Sequence, residues 1–373
     1  MSGTQLKFGL LGPLLLTVAG ATVALGTPKQ RALFAMLLIN RNRAIGSDSL
    51  VYAAWDESPV PAARTSIQSY VSNLRKLLGT AGVDPYSVLA SVPPGYRLNV
   101  AANDCDLDRF NDQKNTGFQA AAAGRFDVAS RHLSAALSEW RGPVLADLAD
   151  FAFVKTFATA VTEDHMLVVT TRAEVEIACG RAEAIIGELE TLAARHPYRE
   201  PLWAQLITAY YVCERQSDAL DAYRRLKTAL AEDLGIDPGP TINALHARIL
   251  RQERLRIRQS ARTTAARAMA GAYAVASRKP AAAWLRDATG RHHPLRAGAT
   301  RIGRLSDNDI VLNDDDVSRH HAVIVDTGGS FVMTDLGSAN GVQVQGQLLR
   351  HSANLADGDH ISICGHDFIF EIQ

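Results

Sequence analysis

The chain has 373 residues, of which 47% are apolar, 6% aromatic and 21% charged. This length predicts roughly two to three domains, and the composition is that of a folded chain, not of a disordered or fibrous one. The 39 basic residues balance the 39 acidic ones, which argues against a nucleic-acid partner only if the charges are evenly spread. They are not: residues 1–100 carry nine basic and four acidic side chains, residues 101–256 carry 18 and 23, residues 257–281 carry five and none, and residues 282–373 carry seven and 12. The basic blocks are candidates for nucleic-acid contact.

The four cysteines are far apart, at positions 105, 179, 213 and 364. This spacing predicts neither a disulfide framework nor a zinc site, and it favours a cytoplasmic protein. Residues 8–26 carry no charge and have the length of a signal peptide or membrane anchor. Four glycines, at positions 9, 12, 20 and 26, and Pro13 interrupt them, however, so we expect two short strands, residues 14–18 and 21–25, around Ala19 and Gly20. We expect no membrane partner, no metal and no cofactor.

Three helices are predicted next. Pro28 precedes a largely apolar run over residues 29–40, which suits a buried helix. Ser47 or Asp48 can cap a second helix that ends near Trp55. Residues 58–61 contain two prolines that predict a break, and residues 62–78 form a third, long helix with an apolar stripe at helical spacing.

The opposite face of the third helix is polar and basic, and the helix contains no acidic residue. A solvated helix face usually mixes acidic and basic side chains, so this face suits phosphate oxygens and base edges, although an exposed face without a partner remains the alternative. Two short strands follow, residues 87–92 and 96–100, around Pro93, Pro94 and Gly95, and they would form a wing that carries Arg97. The candidate DNA contacts are Arg64, Thr65, Gln68, Ser69, Ser72, Asn73, Arg75, Lys76 and Arg97.

Strands, three helices and a closing hairpin describe a winged helix-turn-helix, which we assign to residues 1–104. The segments TPKQRALFAMLLINRNRAIGSDSLVYAAW, ARTSIQSYVSNLRKLLG and PPGYRL resemble the DNA-binding domain of the Streptomyces antibiotic regulatory protein family. The resemblance implies that residues 62–78 enter the major groove of promoter double-stranded DNA and that Arg97 lies on the wing.

The sequence of residues 105–256 predicts an all-α, tetratricopeptide-like domain. Short steps between helices recur near Gly124, Gly180 and Glu214, and the last two are 34 residues apart, the period of a tetratricopeptide repeat. The run from His196 to Gly239 resembles the bacterial transcriptional activation domain of the same family, which implies a scaffold for contacts with RNA polymerase or with a second copy in a homodimer. The histidines of this domain are scattered, so we predict no catalytic site here.

Residues 257–281 contain five basic and no acidic side chains and lack an apolar stripe. We expect a basic linker, mobile or partly helical, before the last domain. Such a linker could contact phosphates, and the alternative is a solvated tether without a partner.

Residues 282–373 change to short strands separated by turn residues, as in an antiparallel all-β sandwich. Three motifs lie in loops: Gly303-Arg304 with Asn308-Asp309-Ile310, residues 317–322 (VSRHHA) and residues 335–341 (DLGSANG). Together they resemble the signature of a forkhead-associated domain. By this resemblance a phosphothreonine, which such domains prefer to phosphoserine, is bound by Arg304, Ser318, Arg319 and Ser338, and Asn340 holds the main chain of the bound peptide.

A phosphate dianion requires charge-assisted hydrogen bonds. Guanidinium, hydroxyl and backbone N–H groups, which these loops offer, can donate such bonds. We expect His321 to be a structural residue that braces a loop, and a structural salt bridge is the alternative role of Arg304. Asp314, Asp315 and Asp316 are adjacent and lack the alternating ligands of a calcium loop, so we interpret them as an acidic turn.

The predicted fold is therefore multidomain α and β: a winged helix-turn-helix, a tetratricopeptide-like helical domain and a forkhead-associated sandwich. Its expected function is that of a DNA-binding transcriptional regulator that docks phosphothreonine on a Ser/Thr protein kinase or another phosphoprotein. The alternative is a phosphothreonine-binding adaptor or kinase antagonist with little DNA binding of its own. No triad, metal set or nucleotide loop indicates an enzyme.

Overall fold

The computed structural model describes residues 6–55, 62–80, 82–93, 95–276, 283–295, 299–326, 331–349 and 352–372. The chain divides into two compact units. The first contains residues 1–105, 145–156 and 270–373, and the second contains residues 106–144 and 157–269.

The amino-terminal part of the first unit is a winged helix-turn-helix with an added sheet, as predicted. This part contains two three-stranded sheets, the second of which includes the wing, and three main helices. The elements in chain order are β1 (Leu6–Gly9), β2 (Leu15–Val18), β3 (Ala21–Thr22), α1 (Pro28–Ile39), β4 (Ile45–Gly46), α2 (Ser47–Trp55), α3 (Ala63–Thr80), α4 (Pro85–Val88), β5 (Leu89–Val92) and β6 (Gly95–Leu98).

Helix α1 forms the core of this part. The hydroxyl of Thr27 accepts a hydrogen bond from the backbone N–H of Gln30 at 3.3 Å and caps the helix, and Pro28 occupies its first turn. Leu33, Phe34 and Leu37 are fully buried, so the prediction of a buried helix is confirmed.

Helix α3 packs one apolar stripe inward, with Ile67, Val71 and Leu74 buried, and the strands β5 and β6 pair in antiparallel register as the wing. The short helix α4 and the strands β1 and β4 were not predicted. The proposed break at residues 58–61 and Pro94 lie outside the described residues.

The second unit is helical, as predicted. Its core joins Trp203, Leu206 and Tyr223 to apolar residues of the neighbouring helices. The helices in chain order are α5 (Asp106–Ala122), α6 (Phe126–Ser138), α7 (Ala152–Ala178), which begins within the first unit, α8 (Ala182–Arg195), α9 (Glu200–Val212), α10 (Gln216–Leu234), α11 (Pro240–Leu250) and α12 (Ile257–Ala276), which ends within the first unit. A short 3₁₀ turn at Ala146–Leu148 belongs to the first unit.

Four helix ends in this unit share one turn. A residue with positive φ stands after the helix, and the N–H of the next residue bonds to the carbonyl five residues earlier, the geometry of a Schellman cap. The turn residues are Gly124, Gly180, Glu214 and Gln252, and the bonds run from Arg125 to Ala120 (2.8 Å), Arg181 to Glu176 (2.9 Å), Arg215 to Tyr210 (3.0 Å) and Glu253 to Arg248 (3.0 Å). The three predicted steps are thus structurally equivalent, and the fourth was missed.

Helix α12 covers most of the segment that was predicted to be a mobile or partly helical linker. Residues 257–276 are helical, and Ala261 and Ala265 are buried. The hydroxyl of Thr264 donates to the Glu174 carboxylate at 3.3 Å. The segment is therefore the helical one of the two alternatives, because small alanine side chains allow close packing where a stripe of large apolar residues is absent. The basic residues Arg278 and Lys279 lie outside the described residues.

The carboxy-terminal part of the first unit is a sandwich of a five-stranded and a six-stranded sheet. Phe331, Met333 and Phe370 lie in its core. The strands are β7 (Ala283–Asp287), β8 (His292–Pro294), β9 (Ala299–Gly303), β10 (Ile310–Val311), β11 (Ala322–Asp326), β12 (Phe331–Asp335), β13 (Val342–Val344), β14 (Gln347–Leu348), β15 (Ser352–Leu355), β16 (His360–Ile363) and β17 (His366–Ile372).

Two features of this sandwich differ from the sequence-based expectation. Strands β9 and β10 pair in parallel, with Ile310 opposite Ile302, so the sandwich is not entirely antiparallel. Four strands were also missed, namely β7, β8, β14 and β15.

Candidate functional sites

Three loops of the sandwich carry the residues expected to bind phosphothreonine. They follow β9, precede β11 and follow β12, and backbone bonds from Arg304 N to Ser318 O (3.1 Å) and from Leu336 N to His321 O (3.1 Å) hold them together. The sandwich therefore brings the predicted loops to one end of the domain.

His321 braces two of these loops from a fully buried position. Its Nδ1 accepts a hydrogen bond from the Ser318 N–H at 3.0 Å, and its Nε2 lies 3.0 Å from the Gly341 carbonyl oxygen and can only donate to it. Both ring nitrogens are thus used within the domain, in agreement with the structural role expected for this histidine.

Two serine hydroxyls face this loop cluster. The Ser318 oxygen accepts a hydrogen bond from the Ala339 N–H at 3.0 Å, and the Ser338 oxygen accepts one from the Gly341 N–H at 3.0 Å. A hydroxyl that accepts in this way keeps its own hydrogen for an anion. Both serines are half-buried, so the backbone bonds fix the hydroxyl oxygens beside the solvent.

The cations and the amide of the site differ in their surroundings. Arg304 forms an ion pair with Asp315, whose side chain is 98% exposed, at 2.8 Å. An exposed pair of this kind contributes little free energy, so a phosphate can displace the carboxylate. Arg319 is half-buried, and exposed Asn340 donates its amide to the carbonyl of Asp316 at 2.8 Å.

Asn308 is a site residue whose role was not assigned from the sequence. It is buried, and its amide donates to the carbonyl oxygens of Leu305 (2.9 Å) and Arg319 (2.8 Å), while its oxygen lies 3.1 Å from His320 Nδ1. Asn308 therefore ties the loop that carries Arg304 to the loop that carries Arg319. The signal was its place in the Asn308-Asp309-Ile310 motif.

Gly303 permits this close approach of the two loops. A Cβ atom at this position would lie 2.4 Å from the carbonyl oxygen of Arg319, well inside contact distance. A side chain here would separate the loops that share the phosphate site.

The acidic turn, residues 314–316, is held by a hydrogen bond to its own backbone. Asp314 accepts a hydrogen bond from the backbone N–H of Asp316 at 2.9 Å, which lowers its pKa, and it also pairs with His366. Among the described residues no group of three His, Cys, Asp or Glu side chains could hold a metal ion.

The second candidate site is the outward face of α3. The structure exposes seven of the nine predicted DNA contacts on one helix surface: Arg64, Thr65, Gln68, Ser69, Ser72, Asn73 and Lys76. Asn73 also lies 3.4 Å from the side-chain oxygen of Gln30. These seven residues form a polar surface with two cations and no carboxylate.

Arg75 and Arg97 are placed differently. The Arg75 guanidinium donates to the carbonyl of Leu89 at 2.7 Å and to the hydroxyl of Ser91 at 2.9 Å, and it lies 4.6 Å from the ring centre of Tyr86. The Arg75 side chain therefore connects α3 to the wing instead of projecting from α3 into solvent. Arg97 is half-buried on β6, opposite Ala90.

Comparisons with known proteins cover all three parts. Residues 20–98 match the carboxy-terminal domain of transcriptional regulatory proteins, residues 105–250 the bacterial transcriptional activator domain and residues 300–364 the FHA domain. The chain is 62% identical over 372 residues to the transcriptional regulatory protein EmbR of Mycobacterium tuberculosis, covering 99% of this chain and 96% of EmbR. It is 54% identical over 247 residues to the transcriptional regulatory protein MoaR1 of the same organism, covering 66% of this chain and 79% of MoaR1.

A comparison with solved structures also finds a similarity to EmbR. The chain is similar to M. tuberculosis EmbR in complex with a low affinity phosphopeptide, with a TM-score of 0.77 over 99% of this chain and 98% of that one. Within the described part of the chain, none of the helices is both long and apolar enough to cross a membrane.

Proposed function

Because the chain belongs to the EmbR family of transcriptional regulators, we propose that it is a DNA-binding regulator whose forkhead-associated domain binds phosphothreonine. The partner is a Ser/Thr protein kinase or another phosphorylated protein, and the DNA is a promoter. The observation that carries the proposal is the convergence of Arg304, Ser318 and Ser338 on loops that buried His321 and Asn308 hold together.

The roles of the individual residues follow from their chemistry. Arg304 and Arg319 supply guanidinium charge to the phosphate, Ser318 and Ser338 supply hydroxyl donors, and Asn340 exchanges its bond to Asp316 for the main chain of the peptide. The exposed residues of α3 contact bases and phosphates in the major groove, with Arg97 on the wing beside it.

The helical residues 105–256 serve as a scaffold for contacts with RNA polymerase or a second copy of the chain. The four equivalent turns support this assignment, since stacked helix pairs present an extended surface for binding. We place the DNA-binding domain at residues 1–104 and the phosphothreonine-binding domain at residues 282–373. Access to a promoter places the protein in the cytoplasm.

The test uses the full chain, a degenerate library of phosphothreonine peptides and a duplex selected from a random pool by the wild-type protein. In calorimetry, Arg304→Ala or Ser318→Ala should weaken peptide binding about tenfold or more, because each change removes a bond to a charged group. The unphosphorylated library is the control ligand. Undiminished peptide affinity in both variants would refute the site.

The matched control acts at the other end of the chain. Replacing both Arg64 and Lys76 with Ala should weaken duplex binding and leave peptide affinity unchanged. Failure to select any duplex, together with intact peptide binding, would favour an adaptor that does not regulate transcription directly.

A further inference from the structure

One short loop of the forkhead-associated domain makes two different contacts. Residues 304–308 begin with Arg304, which belongs to the proposed phosphate site, and three residues later Asp307 accepts a hydrogen bond from the hydroxyl of Ser49. Ser49 is in the first turn of α2, within the winged helix-turn-helix. The loop therefore joins the phosphate site to the DNA-binding domain.

The Ser49–Asp307 contact is buried. Ser49 is 4% exposed, and the second carboxylate oxygen of Asp307, Oδ1, is shielded from solvent without a hydrogen-bond partner among the described residues. A carboxylate that contacts the first turn of a helix from outside, as that of Asp307 does, is stabilised by the helix dipole. An unpaired buried oxygen carries a desolvation cost, however, so the contact is held less firmly than a fully paired one.

The same loop is coupled to the loop that carries Ser318 and Arg319. Besides the bond from the Asn308 amide to the Arg319 carbonyl, the Leu305 N–H donates to the same carbonyl at 3.2 Å. His320 lies beside Asn308. Burial lowers the pKa of His320, and the charge of Asp307 opposes that effect. A phosphate bound by Arg304 and Ser318 would therefore act on the same two loops that position Asp307.

The position of Ser49 gives the contact its consequence. In a helix-turn-helix the first of the two helices crosses the DNA backbone, and the second enters the major groove. Here α2 is the first of these two helices and α3 is the second. Because Asp307 bonds Ser49, its carboxylate lies at the amino-terminal end of α2, the end that favours an anion. It comes from a block of the chain with seven basic and 12 acidic side chains, which repels DNA.

We propose that the Ser49–Asp307 contact is autoinhibitory. It holds the forkhead-associated domain against α2 and opposes DNA binding, and a phosphothreonine peptide at Arg304 releases it. The inference rests on the proposed function and adds the direction in which phosphopeptide binding changes DNA affinity. Phosphopeptide and DNA favour the same released state, so binding of the peptide increases the affinity for DNA. By linkage, each ligand then raises the affinity for the other by the same factor.

The experiment measures the affinity of the full chain for the selected duplex by fluorescence anisotropy, with and without saturating phosphothreonine peptide. In the wild-type protein the peptide should tighten duplex binding about fivefold or more. Asp307→Ala should bind the duplex that tightly without peptide, and added peptide should have no further effect. Ser49→Ala removes the other partner without changing the charge and should give the same result.

Asp367→Ala is the matched control, because Asp367 is an exposed carboxylate of the same domain on β17. It should retain the response to peptide. The inference is overturned if Asp307→Ala and Ser49→Ala, both folded by circular dichroism, respond to peptide as the wild-type protein does. Loss of duplex or peptide binding by the wild-type protein itself would instead refute the proposed function.

Discussion

Arg75 shows how one side chain in a DNA-reading pattern can have a structural role. Its position on α3 suits a base or phosphate contact, but its guanidinium bonds the carbonyl of Leu89 and lies near the rings of Tyr86 and Tyr96. These partners are 11 to 21 residues further along the chain, so helical spacing alone could not reveal them. Lys76, the next residue, is exposed.

We therefore expect Arg75→Met to loosen the wing. The change leaves the Leu89 carbonyl without its charged donor, which costs about 1 to 3 kcal/mol. Hydrogen exchange of the amides in β5 and β6 should accelerate about fivefold or more, as such a cost requires. Lys76→Met is the control and should leave these amides unchanged. Equal exchange in the two variants would return Arg75 to the group of direct DNA contacts.

The sequence locates the loops of the proposed phosphate site more directly than the surroundings of the proposed DNA contacts, for a physical reason. The residues of the phosphate site stand in short loops whose chemistry is local in sequence, and the loops meet because a sandwich brings strand ends together. The resemblance to a known family supplied the roles of Arg304, Ser318 and Asn340. The ion pair of Arg304 with Asp315 and the bonds of Asn308 depend on side-chain rotamers, which no motif specifies.

At the level of elements, large apolar residues at regular spacing made α1, α3 and the middle helices predictable. Helix α12 was uncertain because the residues that it buries within 257–269 are the small Ala261 and Ala265, which give a weak periodic signal. Strands β8 and β14 are short, with three and two residues, and their side chains are mostly exposed. Such strands exist through pairing with neighbours, not through their own sequence pattern.

Helix α7 contains a half-buried histidine that should make the helical domain sensitive to acid. His165 lies 4.0 Å from Trp140, ring centre to ring centre, and burial, aided by the charge of His196, lowers the pKa of His165 to about 4. The unfolded chain binds a proton at this residue below about pH 6.5, whereas the folded chain does not until about pH 4. The stabilising contribution is complete above pH 6.5 and is lost as the pH falls towards 4.

Replacing this histidine should remove part of the acid sensitivity. His165→Phe keeps a ring against Trp140 but binds no proton. We expect its melting temperature to fall less than that of the wild-type protein between pH 7 and pH 4.5, measured by circular dichroism at the helical wavelengths. Parallel falls in the two proteins would show that His165 titrates normally in the folded state.

At the level of the whole molecule, the zero net charge is the sum of basic and acidic blocks that cancel. The DNA-binding block has an excess of basic side chains, and the last block has an excess of acidic ones. DNA affinity should therefore decrease as salt rises, with a slope set by the number of phosphates contacted. The acidic block opposes the same ligand through charge, and this repulsion acts over about 10 Å at 0.1 M salt but only about 3 Å at 1 M.

The factor by which phosphopeptide tightens duplex binding should consequently be largest at low salt and approach one at high salt. A salt titration of duplex affinity, with and without peptide, measures both slopes in one series. Repulsion between the acidic block and DNA predicts a steeper slope with peptide bound, because the released basic surface reaches more phosphates. A peptide effect of constant size would mean that the acidic domain excludes DNA by its bulk, and an affinity independent of salt would mean that α3 and its neighbours do not bind the DNA backbone.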